Sequence, residues 1–183
     1  RSLQRVASAQ RPEILLAARV SPTGKFSNLS VTACPVMQGQ VHHRTKKPLS
    51  REMLLPLAAD VARKKSLEQH LALVTLRSGS GNSTTVGRLL HTTYVAYFLH
   101  DATVGRRDLD DFRAAEAALC DGAVRAKTEE NCRIPEDGCA AIERVLARYD
   151  QHLASTPRHL IASAQDRLAR FLATEKLSPI AQQ

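Results

Sequence analysis

A glycine- and serine-rich stretch that runs into a predicted helix is the part of this sequence best suited to chemistry. Residues 77–88 read Arg-Ser-Gly-Ser-Gly-Asn-Ser-Thr-Thr-Val-Gly-Arg. Free backbone N–H groups at a helix N-terminus attract anions, and glycine lets a ligand approach the backbone closely. The P-loop spacing and its lysine are missing, and a flexible loop with a good N-cap has the same composition. The residues of the predicted anion site are Ser78, Gly79, Gly81, Asn82, Ser83 and Thr84.

Positive charge is concentrated in the first half of the chain. The 183 residues carry a formal net charge of +8, and residues 1–100 hold fourteen Lys and Arg against four Asp and Glu. Residues 101–154 hold eight against twelve. Clustered cations displace counterions from a phosphate backbone and so give salt-sensitive affinity for nucleic acid, although charge runs are also typical of solvated helix faces. The predicted nucleic-acid contacts are Arg44, Lys46, Lys47, Arg51, Arg63, Lys64, Lys65, Arg77 and Arg88.

The spacing of apolar residues predicts a tri-helical unit in this basic half, with helices near 50–63, 66–77 and 84–99. If the third helix lay in a DNA major groove, residues 83–85 and Arg88 would form its leading end. The intervening loop of about six residues is longer than the turn of three or four residues in a helix-turn-helix motif. This alternative therefore has less support than general contact with phosphates.

No pattern of catalytic or metal-binding residues stands out. No two of the seven histidines have the i, i+4 spacing of a helical metal site, and Gly79-Ser80-Gly81 lacks the spacing of a nucleophile elbow. Asp108, Asp110 and Asp111 lie at a helix start, where carboxylates stabilise the helix dipole. We therefore predict no catalytic residue, no metal and no cofactor. Catalytic residues can be scattered, so an enzyme stays an alternative.

The cysteines and the hydropathy indicate a protein of a reducing compartment. Cys34, Cys120, Cys132 and Cys139 form no Cys-x-x-Cys pair, so we predict four reduced thiols. No stretch approaches the roughly 18 apolar residues of a membrane span. No apolar signal-peptide core is visible near the N-terminus. We expect a cytoplasmic protein that does not enter membranes.

Apolar periodicity predicts helices through the rest of the chain. Three amphipathic helices open at Asp108, at Pro135 and at Thr156-Pro157, and they need one another to cover their apolar faces. Pro56 begins or kinks the first helix, and Ser66 is predicted to cap the second, with a strand over 71–76 as the alternative.

The predicted fold is mainly α: a single-domain helical bundle of five to six helices with a short N-terminal β-hairpin or irregular segment. The hairpin would pair 13–20 with 29–36 across Pro22-Thr23-Gly24, and a helical turn around 14–19 is its alternative. The predicted divisions are a basic leader, hairpin and connector over 1–48, a helical domain over 49–176 and a frayed tail over 177–183. The helical domain would comprise a basic tri-helical part over 49–100 and a bundle part over 108–174.

These features predict an accessory or regulatory protein that binds DNA or RNA through its basic N-terminal half. The bundle of 108–174 would support self-association or a protein partner. A first alternative is a helical interaction module, an adaptor or effector domain without nucleic acid, which predicts an exposed apolar patch on 109–172. A second is a small-anion or nucleotide-binding protein or enzyme, which predicts that the Gly79–Arg88 loop lines a pocket.

Overall fold

The computed structural model describes residues 48–128, 132–174 and 176–180. Some of the predictions fall on other residues and lie outside the described ones. These are the N-terminal hairpin, the reduced state of Cys34, and the phosphate contacts of Arg44, Lys46 and Lys47.

Six α-helices, and no strand, make up the regular structure of the described residues. The prediction of a mainly α helical bundle is thus confirmed. The helices are α1 (Arg51–Leu54), α2 (Ala59–Arg77), α3 (Ser83–Thr103), α4 (Asp110–Thr128), α5 (Glu136–Ser155) and α6 (Arg158–Leu172).

The start of the helical region differs from the prediction. Helix α1 covers only the start of the helix predicted near 50–63. Helix α2 joins the end of that range to the helix predicted near 66–77, and Ser66 lies within α2 without acting as a cap. The alternative strand over 71–76 is wrong for the same reason. Pro56 follows the four-residue helix α1, and Leu55 before it is extended, because a residue preceding proline is disfavoured in the α conformation.

Helix α3 is the centre of the bundle. It packs against α2, α4, α5 and α6, and every residue from Thr92 to His100 is buried. The N-terminal end of α3 stays exposed at Ser83, Thr84 and Arg88, so the groove-binding alternative for 83–88 remains a prediction. The same packing joins the parts predicted over 49–100 and 108–174 in one core.

The segment after α6 is packed, which corrects the frayed tail predicted over 177–183 for the residues that the structure describes. Ile180 is only 1% exposed and belongs to the core. The Ser178 hydroxyl donates a hydrogen bond to the Glu116 carboxylate on α4, at 2.9 Å. The tail therefore covers part of the bundle.

Ion pairs connect α4 to α5. Asp111, in the first turn of α4, accepts hydrogen bonds from Arg144 at 2.7 Å and from Arg148 at 2.8 Å, both on α5. The hydrogen bond from Arg144 is the main reason that the pKa of Asp111 lies below its ordinary value. Asp108 precedes the helix with φ 53°, and Asp110 and Asp111 lie in the first turn of α4, as predicted.

A close crossing of α4 and α5 depends on Gly138. A Cβ atom at this position would lie 2.7 Å from Ala118 Cβ and 2.9 Å from Ile134 Cγ2. Neither neighbour is the far end of a flexible side chain, so the crossing leaves room only for glycine.

We expect Gly138→Ala to destabilise the protein by about 1–3 kcal/mol, because the added methyl group overpacks the crossing. Gly87→Ala is the control, since a Cβ at Gly87 meets nothing within 4 Å. There alanine should stabilise the helix, by about 0.5–1 kcal/mol. Urea unfolding followed by circular dichroism measures both, and equal effects would show that the crossing tolerates a methyl group.

Asp111→Asn should lower the free energy of unfolding by about 1 kcal/mol near neutral pH, since it removes a partly exposed ion-pair network. Asp110→Asn removes the same charge from the same turn, but its side chain is 97% exposed. A lowered carboxylate pKa contributes stability above the ordinary value, about 3.9, and that stability is lost as pH falls through the folded-state pKa. The difference between the variants should therefore vanish in acid; a pH-independent difference would contradict the role of the carboxylate charge.

Candidate functional site

Apart from Arg77, the cations of α1, α2 and the start of α3 are exposed and unpaired. Within the described residues none of these side chains forms an ion pair. They share their stretch of chain with three carboxylates, of Glu52, Asp60 and Glu68. The members of this group, here called the open cations, are Arg51, Arg63, Lys64, Lys65 and Arg88.

Many arginines of the other helices, by contrast, are held by carboxylates. Asp101 binds Arg167 at 2.6 Å, and Asp111 binds both Arg144 and Arg148. These guanidinium groups connect helices, so their charge is already compensated within the fold. The polarity of charge seen along the sequence is thus also a difference between paired and unpaired cations.

Arg77 differs from the other predicted phosphate contacts. Its Nη2 lies 2.9 Å from Glu136 Oε1, and its Nη1 lies 2.9 Å from Glu143 Oε1. The hydrogen bond to Glu143 is the main reason that the pKa of Arg77 is raised. Arg77 therefore joins α2 to α5, and two carboxylates offset its charge.

The predicted anion loop is organised by its own side chains. Asn82 caps α3: its Oδ1 accepts hydrogen bonds from the Thr85 N–H at 2.9 Å and the Thr85 hydroxyl at 3.0 Å. The Ser78 hydroxyl donates to the Thr75 carbonyl at 3.0 Å. Gly79 adopts φ 81°, a left-handed conformation that glycine accommodates without strain. The predicted N-cap is thus present, and it engages the Thr85 N–H, one of the groups that a bound anion would use.

Part of this loop lines a pocket of about 620 Å³ at the end of the bundle. Ser78 and Gly79 lie in its wall, whereas Gly81, Asn82, Ser83 and Thr84 do not. The remaining lining residues are Arg77, Arg125, Arg133, Ile134, Pro135 and Glu136. Sequence reasoning missed Arg125 and Arg133, because they follow α2 by about fifty residues and only the packing of α4 and α5 brings them to the loop.

An apolar stripe lies on the exposed side of α2. Leu67, Leu71 and Val74 are 57%, 55% and 57% exposed, and their i, i+4, i+7 spacing places them on one helical face. The opposite face buries Leu73 and Leu76 in the core. Packing within the described fold uses only the face of α2 that carries Leu73 and Leu76. The exposed stripe is therefore not needed for that packing.

The apolar patch predicted on 109–172 is not found. Among the described residues of that range, Val124 is the only large hydrophobic side chain that is exposed. The apolar faces of α4, α5 and α6 are buried in the core. The exposed apolar surface lies on α2, outside the segment where the interaction-module alternative placed it.

Some of the described histidines form hydrogen bonds within the fold, and the described cysteines are reduced. His70 bonds to Asp150 at 2.9 Å, and the buried His100 bonds through Nε2 to the Arg107 carbonyl at 2.8 Å. Cys120, Cys132 and Cys139 form no disulfide. The described residues contain no group of His, Cys, Asp and Glu able to hold a metal ion, and none of their helices could cross a membrane.

The fold and the sites define the class of this protein as an α-helical bundle with unpaired cations on α1, α2 and α3 and an exposed apolar stripe on α2. Comparison with protein-family models, with curated proteins and with solved structures gives no significant match.

Proposed function

We propose that this chain binds nucleic acid through the open cations of α1, α2 and α3. The observation that carries the proposal is that these five side chains are exposed and unpaired, whereas four arginines of α4, α5 and α6 are held by carboxylates. An unpaired surface cation can approach a phosphate without breaking an existing ion pair. Arg44, Lys46 and Lys47 immediately precede this region in the sequence and add three cations.

The arrangement favours contact with the phosphate backbone over recognition of bases. Arg63, Lys64 and Lys65 are consecutive on α2, so they project around the helix instead of along one edge. Residues 92–100 of α3 are buried in the bundle, so this helix is exposed only outside that stretch, as at its N-terminal end. We therefore expect a binder with weak sequence preference and strong salt dependence, acting as an accessory or regulatory protein.

Arg63→Gln/Lys64→Gln should weaken binding to short duplex DNA and reduce the slope of log affinity against log salt by about 1.8, since each lost phosphate contact removes about 0.9. Arg170→Gln/Lys176→Gln is the matched control, because it removes one exposed Arg and one exposed Lys elsewhere. Fluorescence anisotropy across a salt series measures both, with single-stranded RNA as a second ligand. Equal losses in the two variants, or no binding by the wild type at low salt, would overturn the proposal.

A second candidate function rests on the apolar stripe of α2. Leu67, Leu71 and Val74 form an exposed apolar surface against which an amphipathic helix of another protein could pack. Arg63 and Lys64 lie one turn before the stripe and would favour a partner that carries carboxylates. Self-pairing of this face would bring the same cations together on two chains that each carry +8. Under the helical-interaction alternative, we therefore expect an acidic partner protein that binds to α2.

A photo-crosslinking residue at position 71 should form a discrete adduct with such a partner in the native cells. The same residue at position 177 is the control, because Leu177 is 45% exposed and lies outside the stripe. Addition of Arg63→Glu/Lys64→Glu should suppress the adduct, since it reverses the charge beside the stripe. No adduct at 71, or equal adducts at both positions, would exclude docking on α2.

A further inference from the structure

A second cavity, of about 660 Å³, lies where the C-terminal ends of α3 and α6 meet the tail. We call it the C-terminal cleft. It does not include any of the open cations or the Gly79–Arg88 loop. Its lining residues are Tyr97, Phe98, Arg106, Arg167, Arg170, Phe171, Thr174, Lys176, Ser178 and Pro179.

The charge of the cleft is strongly positive. Four cations line it, and none of its described lining residues is a carboxylate. Asp101 bonds to Arg167 at 2.6 Å and lies 3.6 Å from Arg106, so one carboxylate outside the lining offsets part of the charge. Arg170 and Lys176 are exposed and form no ion pair with the described residues. A dianion would be compensated here without displacing an existing partner.

The floor of the cleft is aromatic. Phe98 and Phe171 are 7% and 9% exposed, and the buried Tyr97 lies beside them. The Arg167 guanidinium lies 4.6 Å from the centre of the Phe98 ring, a cation–π distance, and its Nη2 is held by Asp101. The arginine is thus fixed over the floor before any ligand arrives, which lowers the entropic cost of binding.

The tail forms a fixed wall. The Ser178 hydroxyl donates to Glu116, and the Ile180 N–H donates back to the Ser178 oxygen at 3.0 Å. Ile180 is buried beyond this turn. These contacts hold Ser178 and Pro179 against the bundle. This wall of the cleft therefore needs no bound ligand to hold it in place.

We propose that the C-terminal cleft binds a small organic phosphate that carries an aromatic ring, such as a mononucleotide. A phosphate monoester carries a charge of about −1.5 to −2 near neutral pH, which suits four cations with one offsetting carboxylate. Arginine forks bond phosphate oxygens in pairs, and a flat ring of the ligand can stack on the outer side of the Arg167 guanidinium, which itself lies over Phe98. The volume falls in the range of small-molecule sites, about 300–1,000 Å³. The site is separate from the proposed nucleic-acid surface.

Isothermal titration calorimetry tests the cleft with AMP, adenosine and inorganic phosphate at constant ionic strength. AMP should bind at least about tenfold more tightly than either part alone, because only AMP joins the ring to the anion. Arg170→Gln/Lys176→Gln should weaken AMP binding about a hundredfold, since each of the two lost charge-assisted hydrogen bonds is worth roughly a factor of ten. Arg63→Gln/Lys64→Gln should leave AMP binding unchanged.

The two double variants thus serve as reciprocal controls, and the two proposals fail separately. Absence of AMP binding at millimolar concentration would overturn the cleft and leave nucleic-acid binding standing. Equal affinities for AMP and inorganic phosphate would reduce the cleft to an ion site and overturn the aromatic assignment. Equal weakening of AMP binding by both variants would show general charge attraction and also overturn it.

Discussion

The enclosure of α3 is the constraint on which the rest of this structure depends. Nine consecutive residues, from Thr92 to His100, are buried, so α3 needs neighbours on every side and obtains them from α2, α4, α5 and α6. Two of its buried polar side chains find partners within the protein, whereas the buried Thr93 hydroxyl has none among the described residues. Thr92 donates to the Arg88 carbonyl, and Nε2 of His100 bonds to the Arg107 carbonyl. A buried polar group left without a partner would cost more than its hydrogen bond contributes.

This enclosure decides where surface remains for binding. The N-terminal end of α3 follows the glycine loop, whose first residues line the pocket with Arg125 and Arg133. The C-terminal half of α3 supplies Tyr97 and Phe98 to the C-terminal cleft. Between the two ends, α2 covers one side of α3 and exposes its own outer face. The loop pocket, the cleft and the outer face of α2 are therefore arranged around one buried helix.

The ion pairs show which cations stabilise the bundle and which are left to face solvent. Arginines that join α3 to α6, and α4 to α5, contribute to the assembly of the bundle. The open cations have no such role within the described fold, and their charge faces solvent. A net charge of +8 alone supports only a statement about solubility and attraction to polyanions. The separation of structural from unpaired cations is what turns it into a hypothesis about a surface.

The sequence by itself determined the helical class and much of the C-terminal half. Prolines 135 and 157 and a regular apolar period mark α5 and α6, because a helix with one apolar face has a pattern visible in its own residues. The same reasoning divided α2 at Ser66, since its apolar residues lie on two faces and blur the period. Ile180 gave no signal as a core residue, because its partners are distant in the chain.

Only the tertiary structure decided which charges are paired and which residues share a cavity. Arg77 and Arg63 look alike in sequence, yet Glu136 and Glu143 engage the first and no described carboxylate engages the second. The loop pocket joins residues 77–79 to 125 and 133–136, and the cleft joins 97–106 to 167–179. Such contacts follow from how helices pack, and local periodicity carries no information about partners fifty or more residues away.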